Sequence, residues 1–568
     1  MRIARLSLLV TAAACMAGLH AQDDIVMKAM RDEMARSMKQ LTLENLERPY
    51  FIAYRVVDSE GASVSASFGA LNHSSPNSSG RSRRLHVEIR VGDYKLDNSH
   101  FYFFDMNQGT SMRMYNGTTM LPVEDDYKEL SRQLWLATDI VYKKAVEDIS
   151  KKRAALQNRT RTDESDDFSK EEPVTSNLDL PAVKIDLAKW ENEARTLSAL
   201  FRKMPAIHTS SVSFSASNSY SRYLTSEGTS YTRREPSVAF NASAATQAAD
   251  GSMLDDFLWF HGRSAAELPA QDELASNLQE LGKRLTDLRD AQPLASYSGP
   301  VLVEGDAAPQ MFRLMFLHDL IGVKQTINGM QGMNNANQGE NPFLDRVGAR
   351  VLPESLSVTD NPTIAEYMGH HLDGQSKMDE DGMLSREVHL IENGILKTLL
   401  MSRDPVRGFE HTTGSRHAGQ ASPSNVIVTS SAGLSAADLH AKFIELVKQR
   451  NRPFGIVVRR LRTANNIVLA YKVFPDGREE LVRGLQFVGM NPAAFKDIVA
   501  ASKEPNFLTV SHRPSQNGAG MMMSFGSEES ATPVSLVVPS LLFEDATMRK
   551  LRVASPNPPV AGHPFFDK

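Results

Sequence analysis

The stretch SGPVLVEG at residues 298–305 decides the fold of the second half of the chain. Its apolar run after Gly-Pro predicts a buried strand, and the Ala- and Pro-containing segment that follows predicts the start of a helix. That helix is expected to end in the sequence LHDLIGV at residues 317–323. A strand followed by a helix therefore opens the second half.

The rest of the second half is rich in strand patterns. Asn466–Phe474 and Glu480–Val488 flank Pro475-Asp476-Gly477, which predicts a hairpin turn. Ser435 precedes an apolar helical stripe and has Asp438 three residues on, so it predicts a capped helix start.

The first half mixes helix and strand patterns. An apolar stripe at helical spacing predicts an N-terminal helix that packs on a core, with an adaptable methionine binding face as the alternative; its members are Met27, Met30, Met34, Met38 and Leu41. Further helices are predicted at Asp125–Asn158, Asp179–Arg202 and Leu274–Leu288. Strands are predicted at Tyr50–Val57, Leu85–Val91, Ser211–Thr232 and Val238–Thr246.

For three segments of the first half, the sequence predicts how far the residues are exposed to solvent. Leu85–Val91 alternates apolar and polar residues and predicts a half-buried strand. The Ser/Asn/Gly-rich stretch His73 to Ser82 predicts a loop. The charged segment Arg159 to Glu172 has no apolar period and predicts a solvated linker.

Together these patterns predict an α+β fold. Residues 22–295 form an N-terminal mixed α/β domain with long helices, and residues 296–568 form a strand-rich C-terminal domain with a curved or barrel-like sheet. The boundary is placed near Pro293–Gly299, after the Leu274–Leu288 helix. That helix is expected to pack on its own sheet, with a coiled-coil contact as the alternative.

Composition excludes several classes of protein. The chain has 568 residues, a formal net charge of -5 and one cysteine, Cys15. The length predicts two or more domains, and the charge argues against a nucleic-acid partner. A single cysteine excludes disulfide scaffolds, cysteine-only zinc sites and iron–sulfur clusters.

The first 21 residues have the pattern of a secretory signal peptide. Arg2 and Arg5 precede a short apolar run, and Ala21 supplies a small residue before the expected cut. The run is shorter than the roughly 20 apolar residues that span a bilayer, and no later segment is apolar enough to do so. We therefore expect an exported protein, periplasmic or extracellular; lipidation at Cys15 and a retained anchor are the alternatives.

Residue chemistry alone identifies no active site. The sequence contains no nucleophile elbow, P-loop, dinucleotide glycine fingerprint or H-E-x-x-H pair. Histidines are the remaining candidates for metal ligands, and each is more often a surface or packed residue; the candidates are His370, His371, His411, His417 and His512. The cluster Asp379-Glu380-Asp381-Gly382 predicts an acidic turn before a strand, with attraction of a hard cation as the alternative.

The order of several short motifs resembles the TldD/PmbA family over about residues 298–543. The motifs are SGPVLVEG (298–305), LHDLIGV (317–323), DEDG (379–382), LIENGILK (390–397), TGSR (413–416) and PDGREELVRG (475–484). The first half is similar more loosely, in SEGT (226–229) and DG (250–251).

The resemblance implies a metallopeptidase site that this chain has lost in part. Catalytic members of the family carry H-E-x-x-x-H on the helix after the G-P-V strand and a cysteine near the C-terminus, which bind zinc. His318 matches the first histidine, Asp319 replaces the glutamate that activates water, and Val323 replaces the second histidine. With no cysteine after residue 15, we expect no cofactor, and zinc only if the ligands are relocated. We otherwise expect His318 to pack on its helix beside Met311 and Met315.

The family also contains partner subunits that lack the metal motif. The resemblance therefore favours a secreted partner subunit of a peptidase complex, as a homodimer or as a heterodimer with a metal-binding paralogue, acting on an unstructured peptide. The loop Gly329–Gly339 is a candidate border of the peptide cavity. Two alternatives are a divergent zinc metallopeptidase with relocated ligands and an envelope scaffold that binds peptides without cleaving them.

Overall fold

The fold is taken from a computed structural model. It describes residues 24–44, 46–76, 80–102, 117–157, 163–328, 341–463, 466–512, 532–551, 559 and 563–566. The expected signal peptide and the loop Gly329–Gly339 lie outside these residues and stay predictions. In the described residues, no helix combines the length and the apolar character needed to cross a bilayer.

The helices agree with the periodicities of the sequence. They are α1 (Ile25–Gln40), α2 (Tyr127–Gln157), α3 (Leu187–Ser198), α4 (Gln271–Asp290), α5 (Ala307–Met315) and α6 (Ala436–Gln449). Side-chain oxygens fix two of the starts, since Asp24 accepts the N–H groups of Val26 and Met27, and Ser435 accepts that of Asp438. The cap expected at Ser435 is confirmed.

The strands of the first half form one eight-stranded sheet. They are β1 (Pro49–Ser67), β2 (Ala70–Ser75), β3 (Ser82–Val91), β5 (Thr118–Leu121), β6 (Thr175–Asp179), β7 (Thr209–Thr225), β8 (Ser230–Gln247) and β9 (Met253–Gly262). The order is β5-β3-β1-β7-β8-β6, with β2 beside β1 and β9 beside β8. A short β4 (Phe101–Tyr102) pairs instead with β12 (Ile327–Asn328) of the second half.

Four helices cover one face of this first sheet. Helices α1 and α2 pack on β1 and β3, and α3 and α4 pack on β1, β7 and β8. All five leucines of the predicted Leu274–Leu288 stripe are buried in α4, which confirms packing on the sheet. The other face of the sheet points to the second half of the chain, where Phe51, Ala53 and Met378 share one cluster.

The second half contains a twelve-stranded sheet. Its strands are β10 (Gln292–Pro293), β11 (Ser296–Val303), β13 (Leu356–Asp360), β16 (Val388–Glu392), β17 (Ile395–Leu396), β20 (Asn425–Ser430), β21 (Gly455–Thr463), β22 (Asn466–Val473), β23 (Glu479–Arg483), β24 (Leu485–Val488), β25 (Ile498–His512) and β26 (Thr532–Lys550). Two-stranded ribbons accompany it, β14 (Glu366–Tyr367) with β15 (His370–His371) and β18 (Arg416–His417) with β19 (Gln420–Ala421).

The order of the large sheet runs from β10 to β17 through β23-β22-β21-β11-β26-β20-β13-β16 and does not close. The α+β fold is confirmed, and the sheet is open rather than a barrel. The predicted hairpin is present, because β22 and β23 pair antiparallel across a turn in which Gly477 has a φ of 88°.

The prediction that the segment Arg159 to Glu172 is solvated was wrong in part. Of the expected linker Arg159 to Glu172, residues 163–172 are described, and Phe168 is 2% exposed with its ring 4.8 Å from that of Phe51. Asp167 is also buried, 2.5 Å from Nζ of Lys152. The loop predicted from His73 to Ser82 lies between β2, which ends at Ser75, and β3, which begins at Ser82, so only its first residues belong to a strand. The strand predicted at Leu85–Val91 buries its apolar side chains as expected, but its polar side chains face the second half of the chain instead of open solvent.

Candidate functional site

The position that matches the family's metal motif lies just after α5. This helix ends at Met315, where Phe316 leaves the helical region with φ -132° and ψ -46°, and a 3₁₀ turn follows at Leu317–Leu320. Leu317 and Leu320 are buried in the core, whereas His318 is exposed. The expectation that His318 packs among the helix side chains was therefore wrong.

The neighbours of His318 do not build a metal site around it. Asp319 is half-buried, and burial raises the pKa of its carboxyl. Its backbone carbonyl accepts a hydrogen bond from Nδ2 of Asn341, as does that of Ile321. Val323 is 43% exposed in the extended segment beyond the turn. His318 and Val323 thus do not share a continuous helix, and valine supplies no donor.

Zinc does not fit these residues. A zinc ion needs three or four nitrogen, sulfur or oxygen ligands from the protein. This position offers one exposed imidazole and one half-buried carboxyl, and the only cysteine of the chain is Cys15. No step through a zinc ion at His318 can be derived from this arrangement.

The other candidate histidines lie in different places. His370 stacks on Phe507 with ring centres 3.9 Å apart, and His411 is exposed, 3.5 Å from Glu171. His417 is buried, and burial lowers the pKa of its imidazole. The side chain of His512 lies outside the described part. His371 lies beside the carboxylates of Glu267 and Asp373.

A buried charged cluster lies between the two sheets. The first half contributes Arg55 from β1, and His86, Glu88 and Arg90 from β3; the second half contributes Glu380, Asp381, Arg403, Asp404 and Arg416. We call these nine residues the interface cluster. Each arginine in it has at least one carboxylate within 3.3 Å.

The ion pairs of the interface cluster cross from one half to the other. Nη1 of Arg55 lies 2.9 Å from Oε2 of Glu380, and Nη2 of Arg90 lies 3.0 Å from Oδ1 of Asp404. Arg403 lies 2.7 Å from Glu227, in the turn between β7 and β8. These charges are largely removed from water, since the side chains of Arg55 and Glu380 are 20% and 15% exposed, and each pair links the two sheets.

The acidic turn Asp379–Gly382 supplies the centre of the interface cluster. Oδ1 of Asp379 accepts the N–H groups of Asp381 and Met383, and Oδ2 accepts that of Arg416. Gly382 has a φ of 78°, and a Cβ there would lie 2.4 Å from Cγ2 of Thr229. The predicted turn is present, but it is buried against the first sheet instead of solvated.

Burial and charge shift the acidities in the cluster. Burial, then the charge of Arg55, lowers the pKa of His86 to about 4, so its imidazole is neutral at pH 7. Burial alone would raise the pKa of Glu380. The positive charges of Arg55, His417 and Arg233 together exceed this effect and lower the pKa to about 2. Burial, and then Asp381, raises the pKa of Asp379.

The interface cluster leaves little space for a ligand. The cavity among Arg55, His86, Glu88 and Asp381 is about 20 Å³, which is room for about one water molecule. The arginines of the cluster are paired with carboxylates, and no room is left for a substrate. The cluster therefore links the two halves of the chain through ion pairs. No peptide could reach these carboxylates without separating the two sheets.

Sequence reasoning missed this cluster although one signal was present. In β3 the polar residues His86, Glu88 and Arg90 occupy every second position, and this alternation was taken for a water-facing side. A single arginine or histidine on such a face is ordinary. Only contact with residues 380–416, about 300 positions away, shows that the face is an interface.

Comparisons with known proteins agree with the fold and with the motif order. A model of the PmbA/TldA metallopeptidase C-terminal domain matches residues 300–550. A metalloprotease of Methanothermobacter thermautotrophicus is 25% identical over 261 residues, 45% of this chain and 51% of the relative. A metalloprotease of Methanocaldococcus jannaschii is 29% identical over 125 residues, 22% of this chain and 24% of the relative. The chain thus spans about half the length of the first relative and a quarter of the second.

Two solved structures share the fold over nearly the whole chain. A putative modulator of DNA gyrase from Thermotoga maritima has a TM-score of 0.55 and 15% identity, and TldE from Thermococcus kodakarensis has a TM-score of 0.56 and 12% identity. Each match covers 92% of this chain and 99% of the other. Residues 300–550 thus match the C-terminal domain of the PmbA/TldA metallopeptidases, which supports the resemblance of this chain to the TldD/PmbA family.

Proposed function

We propose that this chain is an exported, non-catalytic partner subunit of a peptidase complex of its own family. The observation that carries the proposal is the position of the metal motif, where Val323 replaces a ligand and His318 is exposed on a 3₁₀ turn outside α5. The hydrolytic chemistry would then reside in a paralogue that carries the complete H-E-x-x-x-H motif.

The rigid interface cluster supports a structural role for the chain. Its ion pairs hold the two sheets together and leave no room for a substrate, so the function resides on outer surfaces or in an assembly. A subunit that closes a cavity around an unstructured peptide needs this kind of fixed shape. Binding of the peptide by strand addition would need only backbone hydrogen bonds.

The test uses the purified chain, an unfolded fluorogenic protein as substrate, and a chelator. We expect no chelator-sensitive hydrolysis by the chain alone, and hydrolysis when a family paralogue with H-E-x-x-x-H is added. His318→Ala should leave the activity of the mixture unchanged. Hydrolysis by the chain alone that a chelator abolishes and His318→Ala removes would overturn the proposal.

Export and partner identity need a second experiment in the native host. Affinity purification of the tagged full chain from the periplasmic and extracellular fractions should recover a family member with the intact motif, and the N-terminus of the recovered chain should begin near Gln22. Recovery only from the cytoplasm, with residues 1–21 retained, would contradict export. Recovery of the chain as a stable monomer without a family member would contradict the subunit role.

A further inference from the structure

Two histidines and two carboxylates meet at a second contact between the halves, distant in sequence from His318. His261 lies in β9 and Glu267 in the 3₁₀ turn Ala265–Glu267, while His371 lies in β15 and Asp373 two residues beyond it. Oδ1 of Asp373 is 3.2 Å from Nδ1 of His261 and 3.5 Å from Nε2 of His371. Nε2 of His371 is 3.7 Å from Oε2 of Glu267.

The two central atoms, Nδ1 of His261 and Oδ1 of Asp373, are buried without a hydrogen-bond partner. The side chains of His261 and Asp373 are 9% and 5% exposed. These two atoms lie 3.2 Å apart, yet they form no hydrogen bond with each other or with another group. Leaving buried polar atoms unsatisfied is costly, so this pair calls for a further partner.

Neighbouring residues orient these side chains through hydrogen bonds and ring stacking, as the residues behind the ligands of a metal site do. Nε2 of His261 lies 3.1 Å from Oγ of Ser237, so donation of its proton to the hydroxyl leaves Nδ1 free as a ligand. The ring of Trp259 stacks on His261. Oε2 of Glu267 accepts the N–H of Arg263, and Oε1 accepts the hydroxyl of Ser264.

We propose that His261, Glu267, His371 and Asp373 bind one zinc-type divalent ion that ties the first sheet to the second half of the chain. Ligand atoms about 2.0–2.1 Å from zinc lie about 3.4 Å apart at the corners of a tetrahedron. Three of the six donor–donor distances in this set, 3.2, 3.5 and 3.7 Å, lie close to that spacing. Each half of the chain supplies one imidazole and one carboxylate.

Side-chain rotations are needed to complete the ligand set. In the described residues, no group of three or more histidine, cysteine, aspartate or glutamate side chains is arranged to hold a metal as it stands. His371 is 46% exposed, so its imidazole can turn at little cost toward Asp373 and Glu267. His261 is already held by its contact with Ser237 and by the stacked ring of Trp259.

The donor set favours one class of ion and one role. Imidazole nitrogens select zinc, cobalt or nickel over calcium and magnesium. Four protein ligands close the coordination sphere, which is the mark of a structural rather than a catalytic zinc site. Two carboxylates and two neutral imidazoles also balance the charge of a divalent ion. The site therefore goes beyond the proposed function and is compatible with a chain that hydrolyses nothing.

The test is titration of the chelator-treated full chain with Co²⁺, followed by visible absorption, and competition by Zn²⁺. We expect one Co²⁺ per chain with tetrahedral absorption bands. His371→Ala and Glu267→Gln should weaken binding at least about 100-fold, and Ser237→Ala about 10–100-fold. These changes affect exposed or half-buried positions, so the fold should persist, as circular dichroism can verify.

Two histidine variants serve as matched controls. His370→Ala changes the neighbouring strand residue and should leave Co²⁺ affinity unchanged, and so should His318→Ala. Absence of saturable binding to the wild-type chain, or equal losses in His370→Ala and His371→Ala, would overturn the site. Loss of binding in His318→Ala alone would place the metal at the family position, whereas the peptidase assay tests the proposed function separately.

Discussion

The guanidinium of Arg55 lies 2.9 Å from the carboxylate of Glu380, although 325 positions of sequence separate the two residues. Arg55 stands in the middle of β1, on the face that the four helices leave uncovered, and Glu380 stands in the turn Asp379–Gly382. The pair therefore joins the first sheet to the second half of the chain at the centre of the interface cluster.

Removal of the Arg55 side chain should lower the free energy of unfolding of the chain. Arg55→Met leaves Glu380 buried with fewer partners, and breaking a buried ion pair costs about 3 kcal/mol. Urea unfolding should show this loss. Arg153→Met breaks an exposed pair with Glu47 and should cost at most about 1 kcal/mol; equal losses in the two variants would contradict a structural role for the Arg55 pair.

Stability should fall in acid because His86 resists protonation. Its pKa is about 4 in the folded chain and about 6.5 when unfolded. Above pH 6.5 both states are neutral; as the pH falls from 6.5 to 4, only the unfolded state takes up the proton, so stability is lost. The loss reaches about 3 kcal/mol over this window.

The check on His86 is urea unfolding at a series of pH values between 4 and 7. His86→Gln cannot titrate, so its stability should depend less on pH across the window. His411→Gln changes an exposed histidine and should keep the wild-type slope. Parallel curves for wild type and His86→Gln would rule out this origin of acid sensitivity.

Truncation of Phe168 should destabilise the chain as a core substitution does. Its ring packs against Phe51 and lies under the guanidinium of Arg403, 3.9 Å from the ring centre, so Phe168→Ala should cost about 3–5 kcal/mol in urea unfolding. Leu180→Ala, at an exposed position nearby, should cost less than about 1 kcal/mol. If Phe168→Ala lowered the free energy of unfolding as little as Leu180→Ala does, Phe168 would be solvated, as the sequence predicts for this segment.

Substitution of His318 should leave the fold intact. The side chain is exposed beyond the end of α5, so His318→Ala should change the free energy of unfolding by less than about 0.5 kcal/mol. Phe316→Ala, two residues earlier and fully buried, should cost about 3–5 kcal/mol. A large loss in His318→Ala would mean that the imidazole has a structural partner.

Local patterns were sufficient for most of the secondary structure. The leucine stripe of α4, the cap at Ser435 and the Pro475–Gly477 turn were predicted because each depends on neighbours within a few residues. The strands β1, β3, β7 and β8 followed from alternation for the same reason. The motif order of the second half also indicated the family, because each motif is a short local stretch of sequence.

Exposure could not be predicted in the same way. The polar face of β3 and the acidic turn at 379–382 have the composition of solvated surfaces, and each became buried through charges supplied by the other half of the chain. Phe168 stands alone in a charged segment, so no periodicity marked it as a core residue. His318 follows a helical stripe in the sequence, but the helix ends at Met315.

The sequence by itself determined the helices, the strands, the family of the C-terminal domain and the loss of the second histidine and the cysteine from the family's zinc motif. Only the tertiary structure decided which polar side chains meet: Arg55 with Glu380, Arg90 with Asp404, and His261 with Asp373. The physical reason is the distance along the sequence over which each effect acts. Backbone preference and periodicity act over a few residues, whereas the pairing of buried charges depends on contacts between segments that are more than a hundred positions apart.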